Sequence, residues 1–271
     1  MIDLAPHNPY GLSLKSPVLT AAGCFGYGVE YARMVDLAAI GAIITRSTSL
    51  RGRRGQAPQL LEMPAGVLTV GGWPDPGLAR VIERLAPVWA TWNTPVILSI
   101  AGATIEDFAA AAAALEGVEG IAGLELNLVE HSERAARITA ATRAATQLPL
   151  LVKLPPLSTK LVELVRSVAD AGADALTLIG PPRGMAADPH SDEALHGWLS
   201  GPAIRPLALA VVAEVAAAVT TPIIGCGGVA TVADARQFLA AGAAAVQVGV
   251  ALLANPNAAA QIGAALADQS A

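Results

Sequence analysis

Short apolar runs recur along the whole chain between longer alanine-rich, helix-favouring stretches. Eight stand out: Val18–Ala21, Ala42–Thr45, Val96–Ile100, Gly123–Asn127, Leu150–Leu154, Ala175–Ile179, Pro222–Gly225 and Ala245–Val248. Most lack the alternation of a half-exposed strand, as expected where both faces are buried. The stretches between them predict helices near 29–37, 76–91, 104–116, 132–146, 158–171, 203–218, 231–241 and 251–267. Thr104 with Asp107 and Thr231 with Asp234 have the spacing of a capping box. The glycines of DAGADAL and AAGAAAV stand where a left-handed residue ends a helix at little cost. Repeated strand–helix units build a parallel sheet, and eight of them favour closure into a (β/α)8 TIM barrel of the α/β class. The segment IDLAPHNPYGLSL ahead of the first run predicts a short N-terminal β-hairpin at the barrel's base. Stretches 47–75 and 180–202 read as irregular, and excursions of that length in compact folds usually carry function.

Composition narrows the picture further. A chain of 271 residues suits one barrel, so residues 1–271 are expected to form a single domain. With 54% hydrophobic and 14% charged residues it has material for a large core. A net charge of −5 argues against a nucleic-acid partner, and the one basic cluster, Arg51, Arg53 and Arg54, reads as a solvated loop. Cys24 and Cys226 lie outside any metal-ligand spacing, so neither a disulfide framework nor a metal site is expected, and a reducing cytoplasm fits. The N-terminus lacks the pattern of a signal peptide. The stretches Ala109 to Leu115 and Ala208 to Val219 fall short of the roughly 20 apolar residues of a membrane span.

In this architecture chemistry sits where strands end, at Gly23-Cys24, Arg46-Ser47, Ser99, Asn127, Lys153, Gly180, Gly225 to Gly228, and Gly249. The set is poor in acids and rich in glycine, which points to a flat phosphorylated cofactor rather than to metal chemistry. After the seventh run comes GCGGVATVADARQF and after the eighth VGVALL. Glycines there free backbone N–H groups for an anion, at the place where barrels bind phosphate; the plainer alternative is a tight turn. Lys153, alone in LPLLVKLPP, needs an anionic or electron-rich partner unless it snorkels to the mouth.

The stretch SPVLTAAGCFGYGVEYARMVDLAAIGAIITRSTSL resembles the N-terminal third of the class 1 dihydroorotate dehydrogenases. MPAGVLTVGGWPDPG is similar to that family's substrate-side loop, LSGPAIRPLAL to its phosphate-side helix entry, and PIIGCGGVATVADARQFLAAGAAAVQVGVAL to its closing βαβ unit. The likeness runs nearly end to end and is weakest over 128–149 and 180–196. It implies FMN held by Ala22, Gly23, Arg46, Ser47, Ser99, Asn127 and Lys153, with Gly201, Gly227, Gly228, Gly249 and Val250 at its phosphate. It also implies substrate contacts from Thr69, Asn127 and Ser132, and roles for Lys153 and Arg46 at the reacting centre. The activity implied is oxidation of dihydroorotate to orotate in pyrimidine biosynthesis, by a cytoplasmic homodimer closest to the 1B catalytic subunit. That class works with an iron–sulfur, FAD-carrying electron-transfer subunit, and the cluster would have to come from that second polypeptide, since this chain has no cluster-ligating cysteines.

The substrate side departs from the family's pattern. Its base motif, of the form NxSCPN, reads here Asn127-Leu128-Val129-Glu130-His131-Ser132, which puts Glu130 where the family has its catalytic cysteine. Arg46 replaces a lysine; Thr69, Ser132 and Gly180 replace asparagines; Leu157 replaces a polar residue. Between Asn127 and Lys153 there is room for a helix and two turns but not for the family's flexible lid. Glu130, with His131 beside it, is a candidate general base, while the plainer reading is an acid that favours a helix start. Cys24 is expected to pack rather than react. Three readings stand: an FMN-dependent oxidoreductase acting on dihydroorotate, slowly, or on a relative; an eroded flavin-binding barrel serving as a partner subunit; and a phosphate-binding lyase or isomerase barrel.

Overall fold

The computed structural model describes residues 2–156, 160–188, 191 and 193–268. Leu157 and His190 lie outside the described residues. Eight parallel strands form the centre: β1 (Val18–Thr20), β2 (Ile43–Ile44), β3 (Val96–Ala101), β4 (Gly123–Asn127), β5 (Leu150–Lys153), β6 (Ala175–Leu178), β7 (Ile223–Cys226) and β8 (Ala245–Val248). Each pairs with its neighbour in the chain, and β8 pairs with β1. An isolated parallel bridge between Leu19 and Ala42 joins β1 to β2 and closes the circle. The Thr20 hydroxyl reinforces that seam, accepting from the Ile44 N–H at 2.9 Å and donating to the Ile44 carbonyl at 3.2 Å.

Strand alternation sorts the core into two zones. Outward residues such as Leu98, Leu126, Val152 and Val246 meet the helices. Inward residues Leu19, Ile44, Ile97, Leu151 and Ile224 fill the base of the barrel together with Leu4, Leu12 and Leu14 of the N-terminal hairpin, Ile2–Asp3 with Ser13–Leu14. All eight are at most 3% exposed, and burying one such side chain is worth about 1.5–3 kcal/mol. The base is thus sealed with hydrocarbon. One step further along the same strands the buried residues turn polar: Ser99, Glu125, Lys153, Thr177 and Gln247.

Helices cover the outside at 78–84, 86–89, 105–115, 135–145, 161–170, 205–216, 232–240, 251–254 and 258–267. Both capping boxes form as the spacing predicts, and Gly172 and Gly242 adopt φ of +102° and +103° after their helices. Two expectations are corrected. No α-helix covers 29–37: the chain turns repeatedly and makes only a short 3-10 segment at Leu37–Ala39. There Glu30 accepts from the Tyr27 N–H at 2.9 Å and Phe25 stacks on Tyr31 at 4.8 Å, so side-chain contacts hold a compact turn in place of a helix. The two stretches read as irregular instead contribute a four-stranded antiparallel sheet, in the order 183–187, 194–200, 66–70, 59–63. Its central pairing sets Trp198 against Thr69, far apart in sequence.

Candidate functional site

Above the polar layer the C-terminal ends of the strands open into a cavity with two lobes, of about 150 and 300 Å3. Ala22, Cys24, Lys153, Pro181 and Ser200 line both.

The smaller lobe is walled mainly by Gly201, Gly227, Gly228, Gly249, Val250 and Ala251. Gly201, Gly227 and Gly228 have φ of +101°, +126° and +76°, a region that residues with a Cβ avoid. A Cβ on Gly228 would fall 2.8 Å from both the Gly201 carbonyl oxygen and Arg205 Cβ, and one on Gly227 3.0 Å from Ala208 Cβ. Ahead of helix 232–240, the Thr231 hydroxyl accepts from the Asp234 N–H, while the Asp234 carboxylate accepts from Ala230 and Thr231 and pairs with Arg205. The lobe's lining includes the glycine backbone after β7 and β8 and reaches Ala230, but no residue of that helix, so an anion here meets the glycine backbone.

The larger lobe is built from side chains: Arg46, Ser47, Arg53, Thr69, Trp73, Asn127, Glu130 and His131 among them. Ser47 and Asn127 share one wall, the Asn127 amide donating to the Ser47 hydroxyl at 3.1 Å, while Ser99, wholly buried and outside the lining of either lobe, backs Ser47 at 2.8 Å. The Arg46 guanidinium lies 4.6 Å from the centre of the Trp73 ring, and its Nε is buried without a hydrogen-bond partner. A buried donor left unmade is costly, and this one belongs to a side chain that lines the lobe. With the glycine cradle and the Ser47–Ser99–Asn127 chain it makes a donor set that fits a flavin mononucleotide: backbone for a phosphate, hydroxyl, amide and guanidinium groups for a polar ring edge.

Lys153 sits where the lobes meet and is 5% exposed. Its ammonium donates to Gln247 Oε1 at 2.8 Å and to Glu125 Oε1 at 3.4 Å. Glu125 Oε2 in turn accepts from the Gln247 amide at 2.6 Å and the Thr177 hydroxyl at 3.0 Å. Burial pulls the Lys153 ammonium down, but Cys226 and Glu125 outweigh it and hold the group above the usual lysine value. Burial pushes the Cys24 thiol up to about 11 and raises Cys226 as well, which suits packing and not nucleophilic chemistry.

Of the substrate-side residues expected from the sequence, Thr69 and Asn127 line the larger lobe. Ser132 does not: it begins the 3-10 turn Ser132–Arg134 ahead of helix 135–145, away from the cavity lining. Glu130 lines the lobe, but its Oε1 is held by Arg183 Nη2 at 2.5 Å, and its side chain is 59% exposed. The pairing with Glu130 is a structural surprise, since Arg183 comes from the antiparallel sheet, where its guanidinium stacks 4.0 Å from the centre of the Trp198 ring. His131 is committed elsewhere: one ring nitrogen faces the Gly102 carbonyl at 3.1 Å, the other accepts from Arg134 at 3.0 Å. At Gly180 a Cβ would come within 2.3 Å of a Val129 methyl, so Val129 fills the space that a longer side chain at 180 would take.

The sequence reading missed three groups. Glu125, Thr177 and Gln247 each interrupt an apolar run at the inward parity of Lys153, which was the available signal. Arg53 is exposed, as its solvated-loop reading expects, and also lines the larger lobe, its backbone held in a bridge to Asp75. Among the described residues no group of three or more His, Cys, Asp or Glu could hold a metal ion, and no helix is long and apolar enough to cross a membrane.

Comparison with known proteins bears on this site directly. The family model described as dihydroorotate dehydrogenase matches residues 6–269. The chain is 42% identical over 272 residues to the dihydroorotate dehydrogenase B (NAD(+)), catalytic subunit, of Pelobacter propionicus, covering 94% of this chain and 90% of that protein. It is likewise 42% identical over 273 residues to the protein of the same name from Desulforudis audaxviator, covering 94% and 89%. A barrel whose glycine-lined and side-chain-lined lobes meet at one buried lysine, matched in this way almost from end to end, belongs to the dihydroorotate dehydrogenase family.

Proposed function

We propose that the protein is an FMN-dependent oxidoreductase that converts dihydroorotate to orotate for pyrimidine biosynthesis. The observation that carries this reading is the two-lobed cavity at the mouth of the barrel, with Lys153 at the junction. FMN, when bound, supplies the two-electron acceptor. Gly201, Gly227, Gly228, Gly249 and Val250 would hold its phosphate, and Ala22, Gly23, Arg46, Ser47, Ser99, Asn127 and Lys153 its ring system. Arg46 and Arg53 give the larger lobe a positive wall suited to the carboxylate of dihydroorotate. Thr69 and Asn127 offer hydroxyl and amide groups to its ring.

Glu130 is the base in this proposal and takes the proton from the substrate's C5. Arg183 holds one carboxylate oxygen, and the other makes no hydrogen bond to the described residues, which leaves it open to the proton. With Gly180 in place of an amide and Ser132 outside the lobe, the substrate loses hydrogen-bonding partners, so turnover is expected to be slow. The relatives are named as catalytic subunits, which supports a place beside an iron–sulfur, FAD-carrying electron-transfer subunit. A cytoplasmic homodimer completes the proposal, in keeping with two unpaired cysteines.

Heat treatment of the purified protein should release FMN, and dihydroorotate should reduce a dye acceptor in its presence. Recovery of no flavin, together with an unchanged melting temperature on adding FMN, would overturn the proposal.

A further inference from the structure

The polar layer beneath the cavity contains a wholly buried carboxylate to which the proposed chemistry assigns no part. Glu125 is 0% exposed, and each of its oxygens is engaged by a neighbour from another strand. We propose that Glu125 is a positioning residue that keeps Lys153 charged before any negative charge arrives in the cavity, so that the lysine takes up no proton when a flavin there is reduced. The inference rests on the reading that FMN occupies the cavity.

The groups facing Lys153 settle which one provides the counter-charge. Gln247 on β8 and Thr177 on β6 are neutral. Cys226 at the end of β7 and Cys24 after β1 are thiols that burial keeps protonated at neutral pH, so the pull of Cys226 on Lys153 arises only where the thiol ionises, at alkaline pH. Arg46 bears on Cys24 and brings positive charge. Glu125 is left as the one anion facing the ammonium among the described residues. A buried ammonium without a counter-ion gives up its proton instead of staying charged. With Glu125 in place the pair is neutral as a unit and fully hydrogen-bonded, and Lys153 presents a fixed cation to the cavity. Preorganised charge of this kind stabilises developing negative charge without rearrangement.

Removing only the charge of Glu125 should therefore expose the lysine's own titration. In Glu125→Gln, Lys153 would be neutral beside oxidised flavin and would bind a proton once reduction places negative charge nearby. Two-electron reduction then takes up about two protons where the unaltered protein takes up about one, as linkage requires of a group whose protonation follows the redox state. The slope of flavin potential against pH, measured by spectroelectrochemical titration across neutral pH, should nearly double in Glu125→Gln. It should return to the original value in Glu125→Gln/Lys153→Met, which has no lysine to titrate. An unchanged slope in the single variant, or a steep slope in the double variant, would overturn the inference. Glu125→Asp keeps the charge and should keep the shallow slope even if the network loosens; a steep slope there counts against it too. NMR titration of the Lys153 ammonium in flavin-free protein separates this inference from the functional reading. Proton affinity should fall on the order of 10⁵-fold in Glu125→Gln, as for a lysine buried without a counter-ion, whether or not flavin binds, and an equal affinity in both proteins would sink the role given to Glu125.

Discussion

The lobe between β7 and β8 is made of backbone, whereas the lobe beside Arg46 and Asn127 is made of side chains. In the first, the shape depends on Gly201, Gly227 and Gly228 at positive φ, where a Cβ would strain the backbone and press on Gly66, Ala208 or Arg205. A substitution at any of the three distorts it. In the second, each wall belongs to a side chain that another residue could replace, and the departures from the family's pattern fall on this side: Thr69, Glu130, Gly180. A site drawn in backbone resists change because every alternative residue adds atoms to it. A site drawn in side chains exchanges one donor for another and alters its substrate or its rate without losing its form.

The sharpest way to break this contrast is Glu130→Gln. It should leave bound FMN unchanged and lower dihydroorotate turnover by about 10²- to 10⁴-fold, the usual range for loss of a general base. Steady-state assays beside the flavin-to-protein absorbance ratio check it, and full activity in this variant would remove Glu130 from the chemistry. Gly228→Val tests the other lobe. Strain at positive φ of about 1–3 kcal/mol, before any clash with Arg205 and Gly201, should weaken FMN by roughly 10- to 100-fold, read by fluorescence titration with circular dichroism as a control for folding. FMN affinity equal to that of the unaltered protein would show that the phosphate lies elsewhere. Arg183→Ala is the gentlest probe. Its pair with Glu130 is more than half exposed on both sides, and such pairs contribute about 0.2–1 kcal/mol. A drop in kcat/KM of less than about fivefold is expected, partly recovered in Arg183→Lys; a loss as large as that of Glu130→Gln would make Arg183 a substrate ligand in its own right.

The same contrast explains what the sequence made legible. All eight barrel strands can be read because strands buried on both faces leave mostly apolar runs broken by at most single polar residues, such as ALTL and VILSI. The glycine lobe can be read because glycine is the residue that its backbone demands. The antiparallel sheet escaped because its strands contain Gly66, Gly184 and Gly197 and its two hairpins join across more than a hundred positions, where Trp198 meets Thr69. The Glu130–Arg183 contact escaped for the same reason, since no local pattern announces a partner contributed by a distant hairpin. Glu125, Thr177 and Gln247 were visible one by one as polar residues in apolar runs, but only the closed barrel brings them together beneath Lys153.

Val129 and Gly180 carry a consequence for how this site changes over time. With a Val129 methyl 2.3 Å from where a Cβ at 180 would stand, the two positions are not free to vary independently. An amide restored at 180 in the present background would collide with valine, while the same substitution after Val129→Gly or Val129→Ser would find room. The order of steps then decides which are tolerated. This coupling constrains the pocket: the route to an asparagine at 180 passes first through Val129.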